Sequence, residues 1–439
     1  MPVVGESMRR HVEEDNDMLD TGTTAFMLIA AMLVFVMTPA LAFFYGGLAR
    51  RKNVLNTMFM SIAVIGVVGF VWVIAGWTIA FGDGGSGENP IIGGFNQLFM
   101  SGITGDDLWM TFGYPTFAMV AFEAAFALIT IAIITGSLAG RMKFGAVITF
   151  VAIWSVLVYA PLAHMVWDGG FIFNTIGALD FAGGDVVHIS SGVTGLVLCI
   201  LLGKRRGYGQ LPVRPHNIPY VVLGAGLLWL GWFGFNAASA LGANGDAALA
   251  LCNTMFVPCA AMLSWMVIEK IRVGKCTLSG ACTGALAGLV VITPGAGYVD
   301  TWASLVMGII VSPICYSAIA FLKPKFGYDD ALDAFGCHGV GGIVGGILTG
   351  LFATPANVAA ATGLADHDYG LFYGGGLLGS QILGILVTLA FVIVMTLIIG
   401  LVVKAIFHGS LAVSDAEQAE GLDTSVHGES AYPAYDGLD

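Results

Sequence analysis

Apolar residues run along this chain in eleven long stretches, each close to the roughly 20 residues that a helix needs to cross a bilayer. They fall near residues 24–44, 57–80, 112–135, 144–162, 186–202, 218–238, 247–268, 277–292, 301–322, 335–353 and 377–403. Backbone N–H and C=O groups in lipid must be satisfied within the protein, so the stretches read as helices. The pattern predicts an all-α polytopic membrane protein with eleven transmembrane helices.

The polar connections between the stretches alternate in charge. Every second one is basic: Arg50-Arg51-Lys52, then Arg141 with Lys143, Lys204-Arg205-Arg206 with Arg214, Lys270 with Arg272 and Lys275, Lys323 with Lys325, and Lys404. The intervening connections carry no Lys or Arg, and the remaining two basic residues, Arg9 and Arg10, lie in the N-terminal tail. Basic loops are retained on the cytoplasmic side during insertion. The expectation is an inner (cytoplasmic) membrane protein with its N-terminus outside and its C-terminus in the cytoplasm.

Composition changes this picture little. Hydrophobic residues make up 57% and charged residues 10%, well below the quarter expected of a soluble domain. The 62 glycines fit a bundle whose helices approach closely where no hydrophobic force drives association. The seven cysteines form no CxxC pair and read as free thiols. Residues 1–20 are acidic after Arg10 and lack the apolar core of a signal peptide. The net charge of −12 gives no reason to expect nucleic acid. Its distribution is more telling, since Asp83, Glu88, Asp106, Asp107, Asp168, Asp180, Asp185, Asp246, Asp300, Asp366 and Asp368 sit on the outer side without a basic residue. Such a face either concentrates cations or is the ordinary polar content of loops from which Lys and Arg are excluded.

Five helices is an odd number, so a second five-helix copy enters the membrane from the opposite side, the signature of an inverted repeat. Residues 1–20 would be an extracytoplasmic tail, 21–203 the first five-helix half and 204–354 the second. An outer loop and eleventh helix would follow at 355–406, then a cytoplasmic tail at 407–439. The fifth and tenth stretches open alike, with Asp180 before His188 and Asp333 before His338. The first and sixth each carry an aromatic–glycine cluster, Phe43-Phe44-Tyr45-Gly46-Gly47 and Trp232-Phe233-Gly234-Phe235.

Ionisable residues within a span are costly and point to function. Of eight histidines only His188 and His338 fall inside apolar helices, while His164 ends the fourth. A lone histidine there is more often a packing residue; two at corresponding places weaken that reading. Hydropathy puts His188 near the outer edge and His338 near the inner edge. They meet only if the approaches Ala182-Gly183-Gly184 and Gly336-Cys337 dip into the membrane. Glu123 is the other intramembrane charge, read as a protonated acid hydrogen-bonded to a neighbouring helix. Phe122 and Phe126 lie four apart on one helical face, and with Trp167, Trp232 and Phe235 they would hold a cation only if several rings converge.

These residues resemble those of ammonium transporters of the Amt/Mep/Rh family, on the bacterial Amt side. The matching stretches are Phe44-Tyr45-Gly46-Gly47-Leu48, Ala163-His164-Met165-Val166-Trp167, Ala178-Leu179-Asp180-Phe181-Ala182-Gly183-Gly184, Val187-His188-Ile189, Gly231-Trp232-Phe233-Gly234-Phe235-Asn236-Ala237, Asp333-Ala334-Phe335-Gly336-Cys337-His338-Gly339, and the tail motifs Gly421-Leu422-Asp423 and His427-Gly428-Glu429. The resemblance runs from Phe26 to about Tyr432. It implies a homotrimer with one pore per subunit and no cofactor or metal. Trp167, Phe126 and the Ser239 hydroxyl would recruit ammonium beside Asp180, Phe126 and Phe235 would gate, and His188 and His338 would line the pore. Phe122, Trp232, Phe44, Tyr159 and Ile129 match pore neighbours. The tail would lie across the cytoplasmic face, couple subunits and receive a PII-type regulatory protein. Glu123 stands where an uncharged amide is usual, and Ala334 where a larger residue is common.

The chemistry suits that resemblance. Ammonium is close to potassium in size but donates directed hydrogen bonds and can lose its proton. A dry pore makes the bare cation expensive, and desolvation favours ammonia. Two readings compete with a transporter: a poorly conducting sensor of the same fold, and a membrane enzyme with His188, His338, Asp180 and Asp333 as metal ligands. The second lacks any HExxH-like spacing.

Overall fold

The computed structural model describes residues 19–110, 112–210 and 214–432. Most of the expected N-terminal tail, with Arg9, Arg10 and His11, lies outside the described residues, as does the end of the C-terminal tail. Among the described residues, eleven helices are long and apolar enough to cross a membrane. They are α1 (Thr21–Leu48), α2 (Arg51–Phe81), α3 (Thr116–Leu138), α4 (Phe144–Trp167), α5 (Gly184–Leu202), α6 (Ile218–Ala240), α7 (Gly245–Val273), α8 (Leu278–Gly295), α9 (Thr301–Phe326), α10 (Phe335–Phe352) and α11 (Leu377–Ile406). No strand longer than an isolated bridge occurs among the described residues.

The boundaries depart from hydropathy where local chemistry intervenes. Helix α3 starts at Thr116 rather than at 112, because Pro115 holds extended backbone just before it and pairs with Leu108. Helix α4 continues five residues past 162 through Trp167, which places His164 in its last turn. Asp20 caps α1, its carboxylate accepting from Gly22 and Thr23 N–H.

Helices α3, α5 and α8 are largely enclosed, whereas α2, α7, α9 and α11 show long apolar faces. Phe70, Leu263, Ile271, Leu386 and Leu401 are about half exposed or more. A row of such faces is too large for a surface in water and natural for one in lipid. This is a multi-pass membrane protein.

The two halves interlock. α1 lies along α6, close enough that a Cβ on Gly224 would strike the backbone of Phe44 and Ala40. α5 and α10 cross where Gly192 meets the backbone of Gly339, again closer than any side chain would allow. Small residues here set the helix separation.

Basic connections meet on one face. Arg205 and Arg141 both reach Asp329, with Arg205 Nη2 2.6 Å from Oδ1. Lys143 N–H donates to Leu411 O, Arg206 N–H to the Gln418 side chain, and Lys52 Nζ to Ala419 O. The tail therefore lies across this basic face. Two short helices, α12 (Asp415–Glu420) and α13 (Leu422–His427), form it. Ser414 and Glu417 close a capping box on α12. Leu422 N–H donates to Asn53 Oδ1 (2.9 Å), and Asp423 Oδ1 accepts from Asn56 N–H (2.8 Å). His427 packs against both Phe59 and Phe144, which also touch one another.

Candidate functional site

Helices α5 and α10 both begin deep in the protein, after irregular backbone. Before α5, Trp167 Nε1–H donates to Asp180 O (2.9 Å), Phe181 N–H donates to Pro294 O (3.0 Å), and Gln381 on α11 clasps Leu179 through its N–H and C=O (2.6 and 2.8 Å). The Asp180 carboxylate then accepts the first four N–H groups of the turn: Gly183 (2.8 Å) and Gly184 (2.6 Å) on one oxygen, Asp185 (2.8 Å) and Val186 (3.3 Å) on the other. Burial pushes this carboxyl above the ordinary aspartate range, and the four donors pull against it. An acidic cap also answers the positive end of the helix dipole. Gly183 takes φ +119°, which an L side chain rarely adopts.

The counterpart before α10 is Asp330, not Asp333. Its carboxylate accepts from Ala334 N–H (3.2 Å), Phe335 N–H (2.9 Å) and the Ser137 hydroxyl (2.7 Å). Asp330 precedes His338 by the same interval that separates Asp180 from His188. Asp333, at φ +61°, turns its side chain to Lys323, 2.6 Å away. The expected pairing of Asp180 with Asp333 is corrected by this backbone turn.

Both histidines fall in a π-helical first turn, Gly184–Ile189 and Phe335–Gly339. The depth problem resolves because both helices start inside the protein. His338 Nδ1 lies 3.2 Å from His188 Nδ1, and His188 Nε2 lies 3.4 Å from Thr293 Oγ1. Thr293 donates its hydroxyl to Leu289 O (2.8 Å) and accepts from Trp232 Nε1–H (3.0 Å). Its remaining lone pair can only accept, so the network assigns the proton of neutral His188 to Nε2. His188 Nδ1 is then the acceptor and His338 Nδ1–H the donor. This leaves His338 Nε2 as a free base.

Aromatic rings form a column on the other side. Trp232 stacks on His188 with centroids 5.4 Å apart, and Phe235 lies beyond at 6.2 Å. Phe126 stacks on Phe235 at 4.0 Å and 16°, Trp167 meets Phe126 edge-on at 5.8 Å, and Phe122 packs at 4.8 Å. Half-buried Ser239 donates its hydroxyl to Phe235 O (2.9 Å), which leaves its lone pairs free to accept. Below the stacked rings, Ile129, Ile133, Val187, Leu228, Leu286 and both histidines enclose a narrow apolar space. His338 and Phe44 also face a wider cavity of about 270 Å³ toward the basic face. Tyr159 packs against Trp72 and lines neither space.

Glu123 departs from expectation. It is buried, and among the described residues its Oε2 has no hydrogen-bond partner. Thr293 and Gln381 were missed in the sequence, being uncharged polar residues in apolar helices with no motif around them. Thr293-Pro294 at the end of a short span was the available signal.

The Ammonium Transporter Family profile matches residues 25–432, nearly the length that carries this geometry. The chain belongs to the ammonium transporter family. An ammonium transporter of Aquifex aeolicus is 49% identical, with 94% of each chain covered. One from Bacillus subtilis is 47% identical over 94% of this chain and 99% of its own. The crystal structure of Saccharomyces cerevisiae Mep2 superposes with a TM-score of 0.84 at 32% identity, covering 94% of this chain and 91% of that one. A solved sensor Amt protein shares the fold, with a TM-score of 0.81 at 24% identity over 92% of this chain and 98% of that one.

Proposed function

We propose that this member of the ammonium transporter family takes up ammonium by separating it into ammonia and a proton. The observation that carries the reading is the His188–His338 pair in a narrow apolar space beneath the stacked Phe126 and Phe235 rings. Trp167, Phe126 and the free lone pairs of Ser239 would hold the cation outside, with Asp180 bracing the site through its backbone rather than touching the ion. Cation–π contact holds ammonium there, and the directed hydrogen bond to Ser239 favours it over potassium. Phe126 and Phe235 would part to admit ammonia. Leaving its proton behind is favoured because a bare cation in the apolar space is costly.

The proton follows the imidazoles. In the tautomers assigned above, the pair is in the state after one inward transfer. His338 Nε2 has released its proton to the wider cavity, His338 Nδ1 has taken the Nδ1 proton of His188, and His188 Nε2 has taken one from the other side. Both imidazoles must return to the opposite tautomers before the next. In the cell the basic face would be cytoplasmic, in the inner membrane. Three subunits would assemble, each with its own pore. The tail across the basic face would couple them and present a surface to a PII-type regulatory protein.

The test is a current measurement on proteoliposomes given an ammonium pulse. A transient inward current that scales with the ammonium gradient is expected. Alkalinisation of the lumen without current would replace the relay with neutral ammonia conduction. No flux of either kind, with no rescue of a strain lacking ammonium transport, would favour a sensor.

A further inference from the structure

The strongest feature outside the pore lies at the outer end of α4, next to Trp167. His164 and Asp168 stand one turn apart there, and Asp83 reaches them from the loop after α2. One ligand atom from each of the three comes within 4.8 Å of the others. His164 and Asp168 side chains are wholly buried. Among the described residues neither oxygen of Asp168 accepts a hydrogen bond, and Oδ2 of Asp83 is equally unpaired. Two carboxylates, Asp168 wholly buried and Asp83 partly so, face one another with three unpaired oxygens, an array that needs a proton or a cation between them.

The imidazole is already oriented. Its Nε2 lies 2.7 Å from Asn89 O and must donate to it, which fixes the tautomer and leaves Nδ1 as a lone pair. That lone pair faces only oxygens, Ala80 O at 3.2 Å and Asp168 Oδ2 at 3.3 Å. A proton on Nδ1 would answer one of them and leave the other carboxylate oxygens bare. A divalent ion would answer all, and its charge would cancel both carboxylates. Ligand bonds of about 2.0–2.1 Å in a tetrahedral arrangement separate two donor atoms by roughly 3.3 Å, as Nδ1 and Oδ2 are.

We propose that Asp83, His164 and Asp168 bind one divalent metal ion of the zinc class. An imidazole with two carboxylates in a tight, enclosed cluster suits zinc better than calcium, which takes six to eight oxygens. Asp83 is only partly buried and gives the ion its way in. The ion would clip the outer loop to α4, adding to the bonds from His164 Nε2 to Asn89 O and from Phe171 N–H to Pro90 O. Trp167, which directly precedes Asp168 in the same turn, would be held in place by it.

The test uses the full-length protein in detergent, stripped with a chelator and titrated with ZnCl₂ alone. Metal content by mass spectrometry should saturate at one zinc per chain, with a rise in the thermal unfolding midpoint. Asp168→Asn should weaken binding by at least about tenfold and abolish the rise. X-ray absorption on the loaded protein should show nitrogen and oxygen ligands. If Asp168→Asn fails to fold, Asp83→Asn at the more exposed position should show the same loss. No saturable zinc, wild-type affinity in the folded variant, or a sulfur ligand shell from the exposed Cys259 or Cys276 would overturn the proposal.

Discussion

The starts of α5 and α10 are built on one plan and finished differently. Each is an aspartate, a short irregular approach and a histidine in a π-helical turn. Asp180 accepts four backbone N–H groups and is braced by Gln381 and Trp167, while Asp330 accepts two N–H groups and one hydroxyl. Outside His188 stand close-packed rings; outside His338 stands an open cavity of about 270 Å³. Pseudo-symmetry supplies the frame that brings two histidines together, and the departures from it close one end with packed rings and leave the other facing a cavity.

The largest effect expected bears on what the frame is for. His188→Ala and His338→Ala should each remove most of the ammonium-evoked current, because the proposed proton path needs both imidazoles, while assembly in detergent survives. The partner also loses its hydrogen bond, at about 1–3 kcal/mol. Full current in both variants would reduce the pair to packing. His188→Glu should restore part of the current, with poorer rejection of potassium.

The unequal caps come next. Asp180→Ala should lower stability by about 3–5 kcal/mol, since four donors lose their acceptor, and Asp330→Ala by about 2–3 kcal/mol. Thermal midpoints in detergent give the order. A larger loss at Asp330 would break the comparison as drawn here.

Asp329 has no equivalent at the start of α5. Arg205 grips it through Nε (2.9 Å) and Nη2 (2.6 Å), and Arg141 Nη1 lies 3.8 Å away. Burial alone would raise the Asp329 carboxyl; the hydrogen bonds and charge of Arg205, with Arg141 beside it, outweigh that and hold it below the ordinary aspartate range. Because the folded value lies under the unfolded value of about 3.9, the stabilisation is complete above that pH and fades as pH falls through the folded value. Asp329→Asn should therefore cost about 2–3 kcal/mol, constant from pH 5 to 8 and shrinking in more acidic solution. A penalty that changed between pH 6 and 8 would assign the effect to another group.

The smallest effect probes the stacked rings beyond His188 alone. Trp167→Leu should weaken selection of ammonium over potassium by about 0.5–2 kcal/mol, read as stronger competition by potassium. An unchanged competition profile would remove Trp167 from the recruitment site.

Eleven crossings and a shared face for the basic connections were legible in the residues, because hydropathy and charge act locally on each segment as it enters the membrane. His188 and His338 stood out for the same reason, as ionisable groups in apolar surroundings. That they touch was decided by the fold: each helix starts inside the protein, and Gly192 lets α5 and α10 cross backbone to backbone. Which aspartate caps α10 was equally hidden, since Asp330 and Asp333 are the same residue type and only the left-handed turn at Asp333 separates a cap from an ion pair. Asp83 and His164 stand far apart in sequence, so no local spacing announces their cluster with Asp168. Residue type states which groups cannot bear isolation in an apolar interior. Three-dimensional packing decides which partner each of them finds.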